Sequence, residues 1–257
     1  MVIKTDAIVL RTMKYRDTSL IATLYTRDLG RISVIAKGVR EKASRFGGLP
    51  DVTAQLAVVL YWHEGRDLQL MSRWELETRT SHITDSMERI AVAFGAIELI
   101  DAVSHHEEAR GSFYSLLANV LDAANGAPRN IASLLPYFQM QVLAGLGFRP
   151  GIVTCRVCGR DLSEGEIEGG GVSFEPERGS VVCFACRPAS PGERYLSGGA
   201  LRTLQRLLRF GSANDVAELA MIPCIRQEVS SALQTLLLTH VEGTRPSKSE
   251  AVFASLA

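Results

Sequence analysis

The chain has 257 residues, of which 46% are hydrophobic and 22% are charged, a composition typical of a soluble globular protein. No stretch approaches the roughly 20 uninterrupted apolar residues of a membrane span. The N-terminal run contains Asp6 and lacks a small-residue cleavage site, which argues against a signal peptide. We therefore expect a cytoplasmic protein that does not bind a membrane.

The formal charge is zero over the whole chain, but the charges are unevenly distributed. Residues 1–50 contain ten Lys and Arg and four acidic residues, a net charge of +6, whereas residues 81–150 have a net charge of −3. This asymmetry indicates an anion-binding N-terminal module on an otherwise neutral protein. A solvated basic face without any partner is the alternative.

The first 80 residues are predicted to form β-strands. Short runs rich in Val, Ile, Leu, Thr and Tyr are separated by turn sequences such as Glu64-Gly65-Arg66-Asp67. The predicted strands are 2–11, 20–26, 31–39, 52–61 and 68–77. Five strands in a segment of this length fit an oligonucleotide-binding (OB) barrel, and an SH3-like barrel or a small sandwich fits nearly as well.

From residue 81 the apolar residues recur at the three-to-four spacing of a helix. The helical patterns cover 90–100, 113–124, 131–146, 201–208 and 225–237. We expect the leucine stripes of these helices to lie in the core. Gly147 is a stop signal after the third pattern, and Pro223 stands where the first turn of a helix accepts proline.

Residues 149–196 interrupt the helical pattern and contain two C-x-x-C pairs. Cys155 and Cys158 form one pair, Cys183 and Cys186 form the other, and 24 residues lie between the two pairs. Because Zn²⁺ binds four tetrahedral thiolates and one tight turn presents two of them, the spacing predicts one structural zinc ion. A redox-active pair and a catalytic zinc site are the alternatives. We expect the fifth cysteine, Cys224, to be a small buried hydrophobe.

These patterns predict an α+β multidomain protein. A small barrel or sandwich is expected at 1–80, followed by a helical region at 81–257 that the cysteine-bearing segment 149–196 interrupts.

The sequence contains no recognisable catalytic motif. It lacks the phosphate-binding G-x-x-x-x-G-K-[ST] and G-x-G-x-x-G loops, the G-x-S-x-G elbow and the H-E-x-x-H zinc motif. The five histidines do not cluster with a plausible nucleophile. We therefore predict a binding protein that is not an enzyme.

The densest basic stretch runs from Arg31 to Phe46. Proteins that bind single strands combine cations that follow the phosphates with aromatic faces that stack on bases. The candidate stacking residues are Tyr15, Phe46 and Trp62. The candidate phosphate-binding residues are Lys14, Arg16, Arg31, Lys37, Arg40, Lys42 and Arg45.

The order of these parts resembles the RecO family of bacterial recombination mediators. The resemblance begins with Tyr15-Arg-Asp-Thr-Ser-Leu-Ile and continues through Leu24-Tyr-Thr, Leu29-Gly-Arg and Val34-Ile-Ala-Lys-Gly-Val-Arg. It extends to Leu143-Ala-Gly-Leu-Gly-Phe-Arg-Pro and the cysteine pairs, so it covers nearly the whole chain. One departure is Arg16, which stands where family members often have an acidic residue.

The resemblance implies an OB barrel at 1–80 and a helical domain at 81–257, in which 149–196 forms a zinc-ribbon-like insertion that binds zinc through the four cysteines. It also implies a DNA-repair protein of the cytoplasm and nucleoid that binds single- and double-stranded DNA and anneals complementary strands. The implied partners are RecR and the acidic tail of single-strand-binding protein, and the RecA recombinase is an indirect partner that such proteins help to load.

Three other interpretations remain open at this stage. A zinc-ribbon module of transcription or RNA metabolism would prefer RNA to DNA. A zinc-dependent hydrolase or deaminase would need an open zinc position. A structural adaptor would have no nucleic-acid partner at all.

Overall fold

The computed structural model describes residues 1–39, 50–78, 80–104, 111–163, 167, 170–187 and 194–245. Within these residues a five-stranded barrel is followed by a helical region, and a second β-sheet lies between the third and fourth helices. The predicted fold class is therefore confirmed, including a cysteine-bearing insertion within the helical region.

The barrel strands lie close to their predicted positions. They are β1 (Val2–Tyr15), β2 (Ser19–Thr26), β3 (Gly30–Ala36), β4 (Gln55–Tyr61) and β5 (Leu68–Thr78). The main difference is in β1, which continues beyond the predicted end at Arg11 to Tyr15.

The strand order β1-β2-β3-β5-β4 closes on itself because β1 pairs with both β2 and β4. Residues 2–8 of β1 pair with β4 and residues 7–15 with β2, and an irregularity between Val9 and Arg11 bends the strand. The pairing of β3 with β5 is parallel. A closed barrel excludes the sandwich, and the crossover to β5 gives the Greek-key arrangement of an OB barrel.

Alternate residues of each strand fill the barrel. In β3 the side chains of Ile32, Val34 and Ala36 are buried, whereas their neighbours are half-buried. The small Ala7 and Ala22 lie beside them in the same core, so large and small side chains interdigitate.

The helical region begins after the barrel. Its helices are α1 (Met87–Val103), α2 (Gly111–Gly126), α3 (Leu134–Gly145), α4 (Gly198–Arg209), α5 (Ala213–Val216) and α6 (Pro223–His240). In the part of the chain that the structure describes, none of them is long and apolar enough to cross a membrane.

Gly147 and Pro223 lie at helix ends, as the sequence predicted. After α3, Gly147 has a φ of +92° and donates its N–H to the Ala144 carbonyl at 3.1 Å, while the Phe148 N–H donates to the Leu143 carbonyl at 2.9 Å. These two bonds form a Schellman motif, in which glycine is favoured because its φ is positive. Pro223 is the first residue of α6.

Helix α3 lies at the centre of the helical region. It contains no charged residue and packs against α1, α2, α4 and α6. Its buried residues extend around most of its circumference, which is the property of a helix enclosed by neighbours.

One residue predicted to be buried, Cys224, is exposed, and so is Phe94, a member of the first helical pattern. Phe94 is 40% exposed, because the buried face of α1 is formed mainly by small and branched residues such as Val92 and Ala96. Cys224 is also exposed, since it lies in the first turn of α6 at the surface. The prediction for Cys224 was wrong because residue type alone does not place a side chain in the core. The helical spacing that includes Phe94 likewise does not say which face of the helix meets its neighbours.

The interrupting segment forms a four-stranded sheet. Its strands are β6 (Gly151–Cys155), β7 (Gly171–Glu175), β8 (Ser180–Val182) and β9 (Arg194–Ser197), in the order β6-β8-β7-β9. Apolar residues of this sheet, such as Ile152, Val172 and Leu196, belong to the same core as the helices. The segment is therefore packed into the helical region and has no separate core in the described residues.

The barrel is joined to the helices by apolar packing and by polar pairs. Ile8 and Tyr25 on the outside of the barrel belong to the helical core. The Arg31 guanidinium donates to the Asp101 carboxylate of α1 at 2.7 Å. The Gln55 amide donates to the Asp122 carboxylate of α2 at 2.7 Å.

Arg89 of α1 caps the C-terminal end of α2. Its guanidinium donates to the carbonyl oxygens of Ala124, Asn125 and Ala127, the last at 2.8 Å. The last carbonyls of a helix have no partner within the helix, so a half-buried cation satisfies them and complements the helix dipole.

Replacing Arg89 should destabilise the fold. We expect Arg89→Met to lower the free energy of unfolding by about 2–3 kcal/mol, because charge-assisted hydrogen bonds to partly buried carbonyls are lost. Urea denaturation measures the change. Arg73→Met is the control, since Arg73 forms an exposed ion pair with Glu75 and should change stability by less than about 1 kcal/mol. Equal effects of the two substitutions would contradict the capping role.

Tyr114 makes the stability sensitive to alkaline pH. Burial and the negative charges of Asp6 and Glu77 raise the pKa of Tyr114 from 10.0 to about 12, although Arg27 acts in the opposite direction. The folded state therefore retains this proton longer than the unfolded state, and stability should fall as the pH rises from 10 to about 12. Denaturation measured across this range should show a smaller fall for Tyr114→Phe than for the wild type. Tyr61→Phe, at an exposed barrel position, should leave the profile unchanged.

Candidate metal centre and nucleic-acid interface

The four paired cysteines lie at the ends of two neighbouring strands. Cys155 ends β6, and the chain turns back through Cys158 and Gly159, whose φ is +72°. Cys183 follows β8, and a short 3₁₀ turn leads to Cys186. Because β6 and β8 are adjacent in the sheet, the two C-x-x-C pairs meet although they are far apart in sequence.

The cysteine cluster has dimensions suited to a single metal ion. All four Sγ atoms lie within 4.8 Å of one another, and those of Cys158 and Cys183 are 3.8 Å apart. Four sulfurs at the usual Zn–S distance in a tetrahedron would be about 3.8 Å apart. Cys155 and Cys183 are buried, Cys186 is half-buried and Cys158 is exposed. The cluster could therefore hold a metal ion at the edge of the sheet.

Backbone N–H groups favour the thiolate of Cys155. Burial raises the pKa of this thiol. Hydrogen bonds from the backbones of Cys183, Cys158 and Val157 outweigh that effect and lower the pKa to about 6. The Cys183 N–H lies 3.4 Å from the Cys155 Sγ. The thiolate is the form that binds metals, so these N–H groups suit Cys155 to be a ligand. The pKa of Cys186 shifts the other way, to about 12, because of its hydrogen bonds with the thiols of Cys158 and Cys183.

A buried glutamine holds the cysteine hairpin against the helices. Gln205 of α4 donates from its amide nitrogen to the carbonyls of Ile152 at 2.8 Å and Leu162 at 3.2 Å, which lie on the two arms of the hairpin. Sequence analysis missed Gln205, although a polar residue within the apolar pattern 201–208 was a signal.

An ion pair braces the hairpin on its other side. The Arg156 guanidinium donates to both carboxylate oxygens of Glu175 on β7, at 2.6 and 3.0 Å. The Ser180 hydroxyl donates to the same carboxylate at 3.2 Å. Contacts from a helix and a strand therefore position the first cysteine pair, as groups around a metal site commonly do.

The predicted phosphate-binding residues divide into separate groups. Lys14 pairs with Leu20 and Leu20 with Ala36, so Lys14 and Lys37 lie at one end of the barrel together with the β1–β2 turn that contains Arg16. These three cations are exposed. We call Lys14, Arg16 and Lys37 the barrel-end cluster.

Tyr15 lies within the barrel-end cluster. The Arg16 guanidinium stacks over its ring, 5.3 Å from the centroid, and Arg16 has a φ of 52°. The half-buried ring and the neighbouring cations are a combination that suits a nucleic-acid backbone and its bases.

Arg31 lies elsewhere. It pairs with Tyr25, five residues along β3 from Ala36, which places it roughly 17 Å from the barrel-end cluster. Its guanidinium is bound to Asp101, so the structure gives it a role between the barrel and α1. The other predicted phosphate ligands, Arg40, Lys42 and Arg45, and the stacking candidate Phe46 lie outside the described residues. Trp62 packs against the barrel core.

Removing the cysteine ligands should abolish metal binding and destabilise the helical region. Cys183→Ser should reduce bound metal from one ion per chain to none and lower the free energy of unfolding by at least about 3 kcal/mol, because metal binding contributes directly to folding. Elemental analysis and thermal melting with and without a chelator measure the two effects. Cys224→Ser, outside the cluster, should change neither. A chain that is metal-free when purified under reducing conditions and melts unchanged with chelator would contradict this prediction.

Comparison with known proteins agrees with these features. Residues 1–79 match the family model described as Recombination protein O N terminal, and residues 85–249 match that described as Recombination protein O C terminal. Curated relatives called DNA repair protein RecO include one from Symbiobacterium thermophilum, 31% identical over 95% of this chain and 94% of its own length. The protein of that name from Salinibacter ruber is 30% identical over 99% of this chain and 94% of its own. Together with the closed barrel and the cysteine cluster, these matches show that the chain belongs to the RecO family.

Proposed function

We propose that this protein is a DNA-repair protein that binds single- and double-stranded DNA, anneals complementary strands and helps to load the RecA recombinase in recombinational repair. The observation that carries the proposal is the barrel-end cluster of Lys14, Arg16 and Lys37 around Tyr15 on an OB barrel. Membership of the RecO family, whose curated relatives are named DNA repair proteins, supports it.

The proposed mechanism is electrostatic and reversible. Lysine and arginine side chains contact phosphates and displace their counterions, without reading the base sequence. Weak binding that ignores sequence lets two strands exchange positions until complementary segments meet. No covalent bond changes in these steps, and we therefore propose a binding protein that is not an enzyme.

We propose that the cysteine cluster holds one structural Zn²⁺ ion. Cys155, Cys158, Cys183 and Cys186 would supply four thiolates and complete a tetrahedron, which leaves no position for water or substrate. In this role the ion stabilises the second sheet, and the cysteines take no part in redox chemistry or catalysis.

The two matched family regions, 1–79 and 85–249, support a proposed organisation in two domains. We propose an OB domain at 1–80 and a helical domain at 81–257 that contains the zinc-binding insertion at 149–196. The proposed protein partners are RecR and the acidic tail of single-strand-binding protein, with RecA as an indirect partner. The proposed location is the cytoplasm, in association with the nucleoid.

A zinc-ribbon module of transcription or RNA metabolism is the second candidate, favoured by the cysteine pairs alone. The two candidates differ in their preferred nucleic acid. Competition between DNA and RNA strands of equal length and sequence separates them, because an RNA-binding protein uses contacts to the 2′-hydroxyl group that DNA lacks.

Fluorescence anisotropy with labelled single-stranded DNA across a salt series tests the proposed interface. The variant combines Lys14→Gln, Arg16→Gln and Lys37→Gln. We expect weaker binding, and the slope of log affinity against log salt should decrease in magnitude by about 2, since each lost phosphate contact contributes about 0.7 on single strands. A second variant with Lys37→Ala, Arg40→Ala and Lys42→Ala tests the basic segment that follows β3 in the sequence.

Arg31→Gln distinguishes binding from structural support. Because Arg31 is bound to Asp101, this substitution should lower stability and leave the salt slope near that of the wild type. A wild-type protein that does not bind DNA at low salt would contradict the proposed function. Equal binding by the wild type and both triple variants would contradict the assignment of the interface.

A further inference from the structure

Helix α4 presents three arginines on one exposed face. Arg202, Arg206 and Arg209 are spaced by four and three residues, so they lie in a row along the helix, and all three are exposed. The opposite face, which includes Leu201 and Leu204, is buried. Helix α4 contains no acidic residue, and among the described helices only α4 carries a net charge of +3. We call these three residues the α4 arginine row.

The α4 arginine row is remote from the barrel-end cluster in the packing of the molecule. Helix α4 packs against α3, α6 and the second sheet, whereas β1 and β2 of the barrel pack against α1 and α2. The Gln141 amide of α3 donates to the Leu207 carbonyl at 2.9 Å, and the Gln205 contacts bind α4 to the hairpin. The α4 arginine row therefore lies on a helix that is held by α3 and the second sheet, whereas the barrel packs against α1 and α2.

The dimensions of the row suit a phosphate backbone. From Arg202 to Arg209 the helix rises about 10 Å, which corresponds to about three phosphates at the spacing of one stacked strand. The Arg206 guanidinium lies over the ring of Phe210, 5.7 Å from its centroid. The carboxylate of Asp161, which is close enough to Arg209 to interact with it, is already hydrogen-bonded to the N–H and hydroxyl of Ser163.

Stabilisation of the helix end explains only part of this arrangement. Arg206 and Arg209 lie in the last turn of α4, where a cation complements the helix dipole. Arg202 lies in the first half of the helix, where that effect does not favour a cation, although this residue also takes part in an interaction within the chain. A binding function accounts for all three positions.

We propose that the α4 arginine row is a second DNA-binding surface, which contacts the phosphates of one strand while the barrel-end cluster holds another. This inference rests on the proposed function and deepens it, since two surfaces on one chain would bring two strands together for annealing. The row contacts phosphates only, so it takes single strands of any sequence.

A strand-capture experiment tests the second surface on the intact protein. Oligothymidylate is fixed to beads, the protein is bound to it, and fluorescent oligothymidylate is added. Two oligothymidylate strands cannot pair with each other. Fluorescence retained on the beads, divided by the amount of bound protein, therefore measures how often the protein holds two strands at once. We expect the variant with Arg202→Gln, Arg206→Gln and Arg209→Gln to keep its binding to the first strand within about threefold and to lose at least about tenfold in capture.

Two control variants separate the α4 arginine row from general charge and from folding. Replacing three exposed arginines elsewhere, Arg129, Arg149 and Arg245, by Gln removes the same charge and should leave capture within about twofold of the wild type. Replacing the three α4 arginines by Lys keeps the charge and should retain capture. If the Gln variant melts earlier than the wild type, Arg202→Gln alone, outside the last turn, should still reduce capture.

The outcomes distinguish this inference from the proposed function. Failure of the wild type to bind the first strand would contradict the proposed function. Binding of the first strand without capture of a second would contradict the second surface alone. Full capture by the α4 Gln variant would also overturn the second surface, because two protein copies could then hold the two strands with one barrel each. An equal loss of capture in the Arg129, Arg149 and Arg245 control would overturn it as well.

Discussion

One continuous apolar core joins the outside of the barrel, the helices and the second sheet. Tyr25 of β2, Phe138 of α3 and Val181 of β8 belong to this single cluster, although they come from three different parts of the fold. Burial of apolar surface is the main favourable term in folding, and here the barrel, the helices and the insertion share it. The cysteine cluster and the contact of Arg31 with Asp101 are positioned by elements that meet in this core, whereas the barrel-end cluster lies beside the separate core inside the barrel.

The cysteine cluster depends on the core for its geometry. Strand β8 contributes Val181 and Val182 to the core and leads directly into Cys183, and β6 contributes Ile152 three residues before Cys155. The sulfurs therefore converge because the strands that carry them are packed and paired. A metal ion at this point would link the sheet edge to strands that are already anchored, which suits a stabilising ion better than a reactive one.

The positively charged side chains serve two different purposes. The chain is neutral overall, but some cations are used inside the structure and others face solvent. Arg31 and Arg89 bind a carboxylate and helix-end carbonyls, and so they join one element to another. Lys14 and Lys37 are exposed at the barrel end. Net charge is thus a poor guide to nucleic-acid binding, since a local group of cations is sufficient for an electrostatic footprint.

The sequence by itself determined the features that depend on near neighbours in the chain. Runs of β-favouring residues between turn sequences placed the five barrel strands, and the three-to-four spacing placed the long helices. The signals at Gly147 and Pro223 marked helix ends. Each of these signals acts within a few residues. The cysteine spacing likewise indicated a four-thiol site, since a C-x-x-C turn presents two ligands locally.

Only the tertiary structure decided the features that join distant residues. The parallel pairing of β3 with β5, the Gln205 contacts, the helix cap made by Arg89 and the ion pair of Arg31 with Asp101 all connect positions far apart in sequence. For the same reason the helical spacing that includes Phe94 did not reveal that this residue is exposed. The type of a residue and its spacing in the sequence indicate which interactions its side chain can form. Which partner it contacts depends on how the shared core packs distant elements together.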